Sequence, residues 1–412
     1  MKKILIPALM AAALLPASAQ TMKIHFGQIT VAAPAAQTGE MAFSNSGQSL
    51  TVMGKTYNVA DIDSITIDNS VVTPSSMSVA WADGGAKVTV SADIYPQLTL
   101  DAQGGYISVV ANAALQQEVI YTLSGTSADG GFYMDGEYKA GIVLDGLTLT
   151  SKRGAAIDVE NGKRIDVVLN DGTVNTLADD ASGTQKACFF INGHAEFEGA
   201  GQLVLTGNKK HAFSSDEYTY FKKSTGTVRV LSAAGDGFNV NQYFRMAGGT
   251  LEIANTKGDG IDVGITKDAT DELNGQMMIE GGAVKVSVAA EDVKGLKSDS
   301  LMTISGGTVE ANVSGNGSKG ISTNSDLVIN QASGGSTLVK MVVTGTTYKP
   351  GDPVLEAKCR GIKVDRDFTF DGGHIDIKAT GQSSKAVSVD GTFYWKSGTK
   401  NCYVDATNTV QQ

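Results

Sequence analysis

The chain has 412 residues and a formal net charge of −10, with 43 acidic against 33 basic side chains, a balance that argues against general nucleic-acid binding but leaves room for local basic patches. Glycine is abundant at 49 residues and proline scarce at 7. This suits many tight corners rather than disorder, and the length is enough for one elongated domain with a large core.

The chain opens with Lys2-Lys3, an apolar run from Ile4 to Leu15, and Ala17-Ser18-Ala19 before Gln20. This is the pattern of a secretory signal peptide over residues 1–19, cleaved after Ala19. No cysteine directly follows the apolar run, so a lipid anchor is not expected. No later stretch has the length of a membrane span. The mature product is therefore expected to be exported, periplasmic or extracellular. Residues 20–75 read as a small N-terminal β module and linker, with strand-like pieces from Met22 to Phe26, Ser49 to Met53 and Ile62 to Ile67. The phrase Val59-Ala60-Asp61-Ile62-Asp63-Ser64-Ile65 that ends it is similar to openings of exported proteins from Bacteroidales-type bacteria.

Residues 76–405 read as one domain. Short strands near Lys87 to Val90, Gln97 to Leu100, Tyr106 to Val110 and Val119 to Leu123 place a β cap over residues 76–141. Such a cap is needed because an open strand edge recruits other chains. Coils are expected over 142–400, from Gly141-Ile142-Val143-Leu144 onward, with the aromatics Phe393-Tyr394-Trp395 closing the far end.

Between Gly235 and Gly391 one phrase recurs: a small or charged residue, a glycine and a large apolar residue. It appears as Asp236-Gly237-Phe238, Asp259-Gly260-Ile261, Lys294-Gly295-Leu296, Lys319-Gly320-Ile321 and Arg360-Gly361-Ile362, with Lys385-Ala386-Val387 as a variant. Glycine pairs answer it at Gly248-Gly249, Gly281-Gly282, Gly306-Gly307 and Gly372-Gly373. The period, about two dozen residues, is that of a solenoid whose repeats cover one another's apolar faces. Apolar positions fall in columns, Met246, Ile279, Ile304, Ile329 and Phe370 before the glycine pair and Leu251, Val284, Val309 and Ile375 after it. Alternation around them, as in Thr250-Leu251-Glu252-Ile253, is strand periodicity with one face buried. The fold class is all-β, a parallel β-helix whose coils stack at the ~4.8 Å strand spacing.

Four segments carry a family resemblance: Tyr121-Thr122-Leu123-Ser124-Gly125-Thr126-Ser127, Asp145-Gly146-Leu147-Thr148-Leu149, Lys210-His211-Ala212-Phe213-Ser214-Ser215-Asp216 and Lys257-Gly258-Asp259-Gly260-Ile261. In this order the chain resembles the carbohydrate-binding domain family of right-handed parallel β-helices, over roughly Ser76 to Trp395. The resemblance implies a noncatalytic protein that binds plant cell-wall polysaccharide, acidic pectin-type chains included, and carries calcium. Lysine or arginine stands at the later turns where more acidic relatives have an acid, which leaves the number of calcium sites open.

Stacking turns the first phrase into a ladder: His211, Asp236, Asp259, Lys294, Lys319, Arg360, Lys385. At its acidic end a calcium ion, taking 6 to 8 oxygens, would bridge Asp236 and Asp259, with Asp262, Glu291 and Asp292 as further ligands. The competing reading has these aspartates capping the turns, or Asp259 pairing with Lys294. At its basic end Lys294, Lys319, Arg360 and Lys385, with Lys297 and Lys363 beside them, match the regular carboxylates of a polyuronate. Here the competing reading has Asp299, Asp365 and Asp390 neutralising the stripe.

Tyr218, Tyr220, Phe221, Tyr243 and Phe244 cluster near the early coils, some as sugar platforms and others, by alternation, in the core. Cys188 reads as a core residue, and a Cys359 to Cys402 pairing stays open. His25, His194, His211 and His374 show no metal spacing. The function expected is polysaccharide binding by a monomer, without nucleic acid or membrane span. The first alternative is a calcium-dependent pectate-type lyase using Arg360 or Lys294 as base; the second is a structural or adhesive surface protein.

Overall fold

The computed structural model describes residues 20–82, 85–351 and 355–404, so the expected leader lies outside the described residues. Among the described residues the chain forms strands and short 3-10 turns, with no α-helix. Two large sheets, of 23 and 12 strands, carry the fold, and a three-stranded sheet stands apart.

Each later period contributes three strands. One coil runs through Lys294–Ser298, Met302–Ile304 and Gly307–Val313, and every one of these pairs in parallel with its counterpart one period on: Lys319–Thr323, Leu327–Asn330 and Thr337–Val343. The first strand of each coil joins the 12-stranded sheet and the other two join the 23-stranded sheet. The result is a parallel-rich, β-helix-like stack.

Register confirms the apolar columns. Met246 pairs with Ile279, Ile279 with Ile304, Ile304 with Ile329 and Ile329 with Phe370, and all five are fully buried. The second column runs Leu251, Val284, Val309, Val339, Ile375. Burial of such side chains contributes about 25 cal/mol per Å² of apolar surface, the dominant favourable term for this architecture.

The glycine of the first phrase answers to coil spacing. A Cβ on Gly260 would stand 2.4 Å from the Gly295 carbonyl oxygen, and one on Gly295 would stand 2.6 Å from that of Gly320. The column keeps glycine because the next coil's backbone occupies the side-chain position. The second phrase answers to dihedral angle, since Gly249, Gly282, Gly307 and Gly373 take φ between +77° and +89°.

The first end of the stack is closed by antiparallel hairpins. Leu98–Gln103 pairs antiparallel with Tyr106–Ala111 at the end of the 12-stranded sheet, and Ser76–Ala82 with Gly85–Ser91 in the larger one. Parallel pairing is already established at Tyr106–Ala111 with Gly131–Asp135, ahead of Gly141. The N-terminal strands Thr21–Phe26, Ile29–Pro34 and Ser64–Asp68 have a small core of Met22, Ile24, Val52 and Tyr57, and Ile29–Pro34 joins the large sheet through Gly85–Ser91. At the other end only Phe393 of the three aromatics packs on the core, stacked on Phe368 at 4.8 Å; Tyr394 and Trp395 stay half exposed. Cys188 and Cys359 are buried free thiols, and register sets Cys402 against Ile377.

Candidate functional site

The ladder stands at the turns that lead into the strands of the 12-stranded sheet. Phe238, Ile261, Leu296, Ile321 and Ile362 point into the core, alternation turns the adjacent Asn239, Asp262, Lys297, Ser322 and Lys363 to the outer face, and each ladder residue lies two positions before the core residue, at or just before the start of its strand. Lys294, Lys319, Arg360 and Lys385 are direct register partners on successive coils.

The acids occupy the ladder as links between coils. Asp236 Oδ1 accepts from the Asp259 N–H at 2.7 Å, and Asp259 Oδ1 accepts from the Lys294 N–H at 2.7 Å. Asp236 Oδ2 faces Asn239 Nδ2 at 3.2 Å and the buried His211 Nδ1 at 3.1 Å. Burial pushes the Asp236 carboxyl up, but His211, the Asp259 N–H and Asn239 outweigh it and hold it below its ordinary value. Asp259 has the opposite balance: burial raises it to about 6 against the Lys294 N–H, and the charges of Asp236 and Asp262 add to the rise.

The other expected metal ligands point elsewhere. Asp262 accepts from Lys297 Nζ at 2.8 Å, Asp292 accepts from Lys319 Nζ at 2.9 Å, and Glu291 is exposed. Among the described residues no three His, Cys, Asp or Glu side chains converge as a metal-ligand group. The five carboxylates alone therefore do not fit a closed calcium shell of 6 to 8 oxygens.

Four of the six cations are matched within the protein. Lys297 lies 3.7 Å from Asp299 besides its Asp262 bond, Lys363 bridges Asp365 at 2.8 Å and Asp390 at 2.6 Å, and Lys319 holds Asp292. Lys294 Nζ donates to the Asp292 carbonyl at 2.9 Å, with its carboxylate 3.9 Å away. Arg360 and Lys385 differ. Among the described residues neither has a carboxylate within 4 Å. Arg360 is 7% exposed, and its Nη1 donates to the carbonyls of Cys359 at 2.7 Å and Ser383 at 3.2 Å. Burial holds this guanidinium below its usual range, as expected of a cation without a counter-charge.

The aromatic cluster sorts by alternation. Phe221 and Phe244 are core residues. His194, Tyr218 and Tyr243 form a column on the outside of the larger sheet, with ring centroids 4.4 and 4.6 Å apart, so their faces cover one another. Tyr218 donates to Glu196 at 2.8 Å, and burial with that carboxylate raises its phenol well above the ordinary range.

A cavity of about 250 Å³ opens on the outer face of the 12-stranded sheet near its first strands in the chain, lined among others by Asp101, Tyr106, Tyr133, Arg153, Asp158 and Gln185. None of these stood among the expected site residues. The available signal was the alternation of Tyr133 and Asp158, one period apart on neighbouring strands.

Comparisons with known proteins bear on this geometry. The model of a family described as carbohydrate-binding domain-containing protein matches residues 103–349, more than half of the chain. A protein of Acetivibrio thermocellus with the same description is 25% identical over 179 residues, 41% of this chain and 57% of that protein. The chain thus spans little more than half the length of that relative. A solved structure described as a polysaccharide lyase-like protein from C. thermocellum, in a gadolinium derivative, aligns with a TM-score of 0.51 at 22% identity, covering 63% of this chain and 98% of that one. At that identity the likeness shows the fold alone, and it agrees with a β-helix-like stack.

Proposed function

The chain belongs to the family of carbohydrate-binding domain-containing proteins, and from that membership we propose that it is an exported, noncatalytic polysaccharide-binding protein for plant cell-wall or acidic, pectin-type glycans. In this reading the stack is a right-handed parallel β-helix, monomeric, freed of its leader after Ala19 and acting in the periplasm or outside the cell.

One observation carries the acidic-glycan reading: four cations stand in register one strand spacing apart, and the last two, Arg360 and Lys385, have no carboxylate of their own among the described residues. A buried cation without a counter-charge is costly, and a ligand carboxylate would relieve it. The neighbouring pairs of Lys297 and Lys363 contribute little individually and are exchangeable for ligand carboxylates.

Calcium assistance belongs to the same proposal in a limited form. Since the protein carboxylates do not close a shell, the glycan and water would supply most of the oxygens.

The test is retention of the purified chain on pectic and cellulosic polysaccharides, with calcium or chelator, and analysis of the supernatant for unsaturated oligosaccharides. Retention without soluble product is expected, weaker in chelator. Unsaturated product would instead make the protein a lyase, and neither retention nor product would leave a structural surface protein.

A further inference from the structure

The cavity near the first strands has a chemistry unlike that of the cation column. Its floor is one outward-facing row across four adjacent strands: Asp101 pairs with Ser108, Ser108 with Tyr133 and Tyr133 with Asp158. Because these strands stack at one spacing, the row presents carboxylate, hydroxyl, phenol ring and carboxylate at intervals of ~4.8 Å. We propose that this groove is a second binding site, specific for a neutral saccharide unit, lying near the opposite end of the sheet from Arg360 and Lys385. The proposal rests on the polysaccharide-binding reading and adds to it a separate site with its own ligand class.

The walls are fixed before any ligand arrives. Tyr106 donates its hydroxyl to Asp129 Oδ1 at 2.6 Å and accepts the Lys152 N–H at 3.0 Å, while the Arg153 guanidinium lies 4.0 Å from its ring centroid. Opposite, Gln185 Nε2 donates to Asp158 Oδ1 at 2.9 Å and to Glu160 Oε1 at 3.2 Å. A pre-formed wall lowers the ordering cost of binding. The volume, about 250 Å³, lies just under the ~300–1,000 Å³ of drug-sized ligand pockets, so it admits a ring-sized unit.

The ligand class follows from charge and hydrogen bonding. Ionised carboxylates only accept, and sugar hydroxyls are donors that suit them. A half-buried tyrosine ring in the row offers apolar surface to the C–H face of a pyranose. A uronate, in contrast, would bring a third negative charge between Asp101 and Asp158, with Glu160 behind them and Arg153 as the one cation lining the cavity among the described residues. Burial already holds Asp158 above its ordinary value, and burial with the charges of Asp158, Asp135 and Asp216 does the same to Glu160. Further negative charge is excluded on the same grounds.

The experiment is calorimetric titration of the full chain with neutral hexasaccharides of β-1,4-linked glucose, xylose and mannose, and separately with a hexagalacturonate. Wild type, Tyr133→Ala, Tyr133→Phe and Lys385→Glu are compared. At least one neutral hexasaccharide is expected to bind, at least tenfold more weakly to Tyr133→Ala, nearly as well to Tyr133→Phe, which keeps the ring, and unchanged to Lys385→Glu. Thermal melting separates a misfolded Tyr133→Ala from a folded one, and Asp101→Asn replaces it if needed, with a several-fold loss expected. Hexagalacturonate binding with no neutral binding, or neutral binding indifferent to Tyr133 and Asp101, would overturn the groove and leave the acidic-glycan reading standing. Failure of every sugar to bind would overturn both.

Discussion

Asp236 Oδ1 receives the Asp259 N–H at 2.7 Å, and one coil later Asp259 Oδ1 receives the Lys294 N–H at the same distance. The aspartate of the repeated phrase thus ties each turn to the backbone of the next. Replacing either aspartate by Ala strands a part-buried N–H, with a loss of about 1–3 kcal/mol. The expected loss in thermal melting is the same in calcium and in chelator. A loss seen only with calcium would place a resident ion between the two carboxylates.

Coil spacing makes a sharp distinction among glycines. Gly295→Ala would drive a Cβ to 2.6 Å from the Gly320 carbonyl oxygen and 2.8 Å from Val286 Cγ1, whereas Gly162 has nothing within 4 Å. Gly295→Ala is expected to destabilise by about 1–3 kcal/mol. Gly162→Ala is expected to be near neutral, and equal denaturation midpoints for the two variants would contradict the account.

Asp158 supplies a pH test with a definite sign. Its folded carboxyl lies above the ordinary value because burial disfavours the charge, partly offset by Gln185. The folded state therefore binds the proton more tightly than the unfolded one, so stability from this group is fully present below the ordinary carboxylate range and is lost as pH rises through the raised value. Asp158→Asn, which can still accept from Gln185, is expected to raise the melting temperature at neutral pH. The gain should vanish in acid; a gain that is independent of pH would show that the charge is not its cause.

Lys222 is held by three carboxylates, Asp166 at 2.9 Å, Glu196 at 3.0 Å and Glu198 at 3.4 Å. Burial alone would lower its value, but the hydrogen bonds and charges of Asp166 and Glu196 outweigh it and raise it well above the ordinary one. Its contribution is therefore complete below the ordinary lysine range and is lost only as pH rises through the raised value. Lys222→Met leaves three like charges together and is expected to cost about 1–2 kcal/mol at neutral pH, less in acid where the carboxylates protonate. Unchanged urea midpoints at pH 7 would refute this.

The repeats were readable because stacking imposes identical demands on each coil. Met246, Ile279, Ile304, Ile329 and Phe370 occupy one buried column, as their spacing indicates. Val339 escaped the second column because the longer Gln331 to Ser336 segment sets the pair Gly334-Gly335 five residues after Ile329 instead of two, and Val339 four residues after the pair instead of two. The ladder order was equally legible, but its chemistry was not: whether Asp259 meets a metal or an N–H depends on a side-chain rotamer and on backbone direction. The groove was hidden for another reason. Asp101, Tyr133 and Asp158 share no phrase, and only the register of the capping hairpin brings Asp101 beside the coils.

The proposed binding of acidic polysaccharide by the unmatched cations at the turns of the 12-stranded sheet is tested by the affinity of hexagalacturonate for wild type and Lys385→Glu at low and high salt. Lys385 is partly exposed and carries no ion pair among the described residues, so the exchange leaves the core untouched. The account predicts binding that weakens with salt and falls at least tenfold, about 1.4 kcal/mol, in the variant. Equal affinities for both proteins, or no binding by wild type, would contradict it.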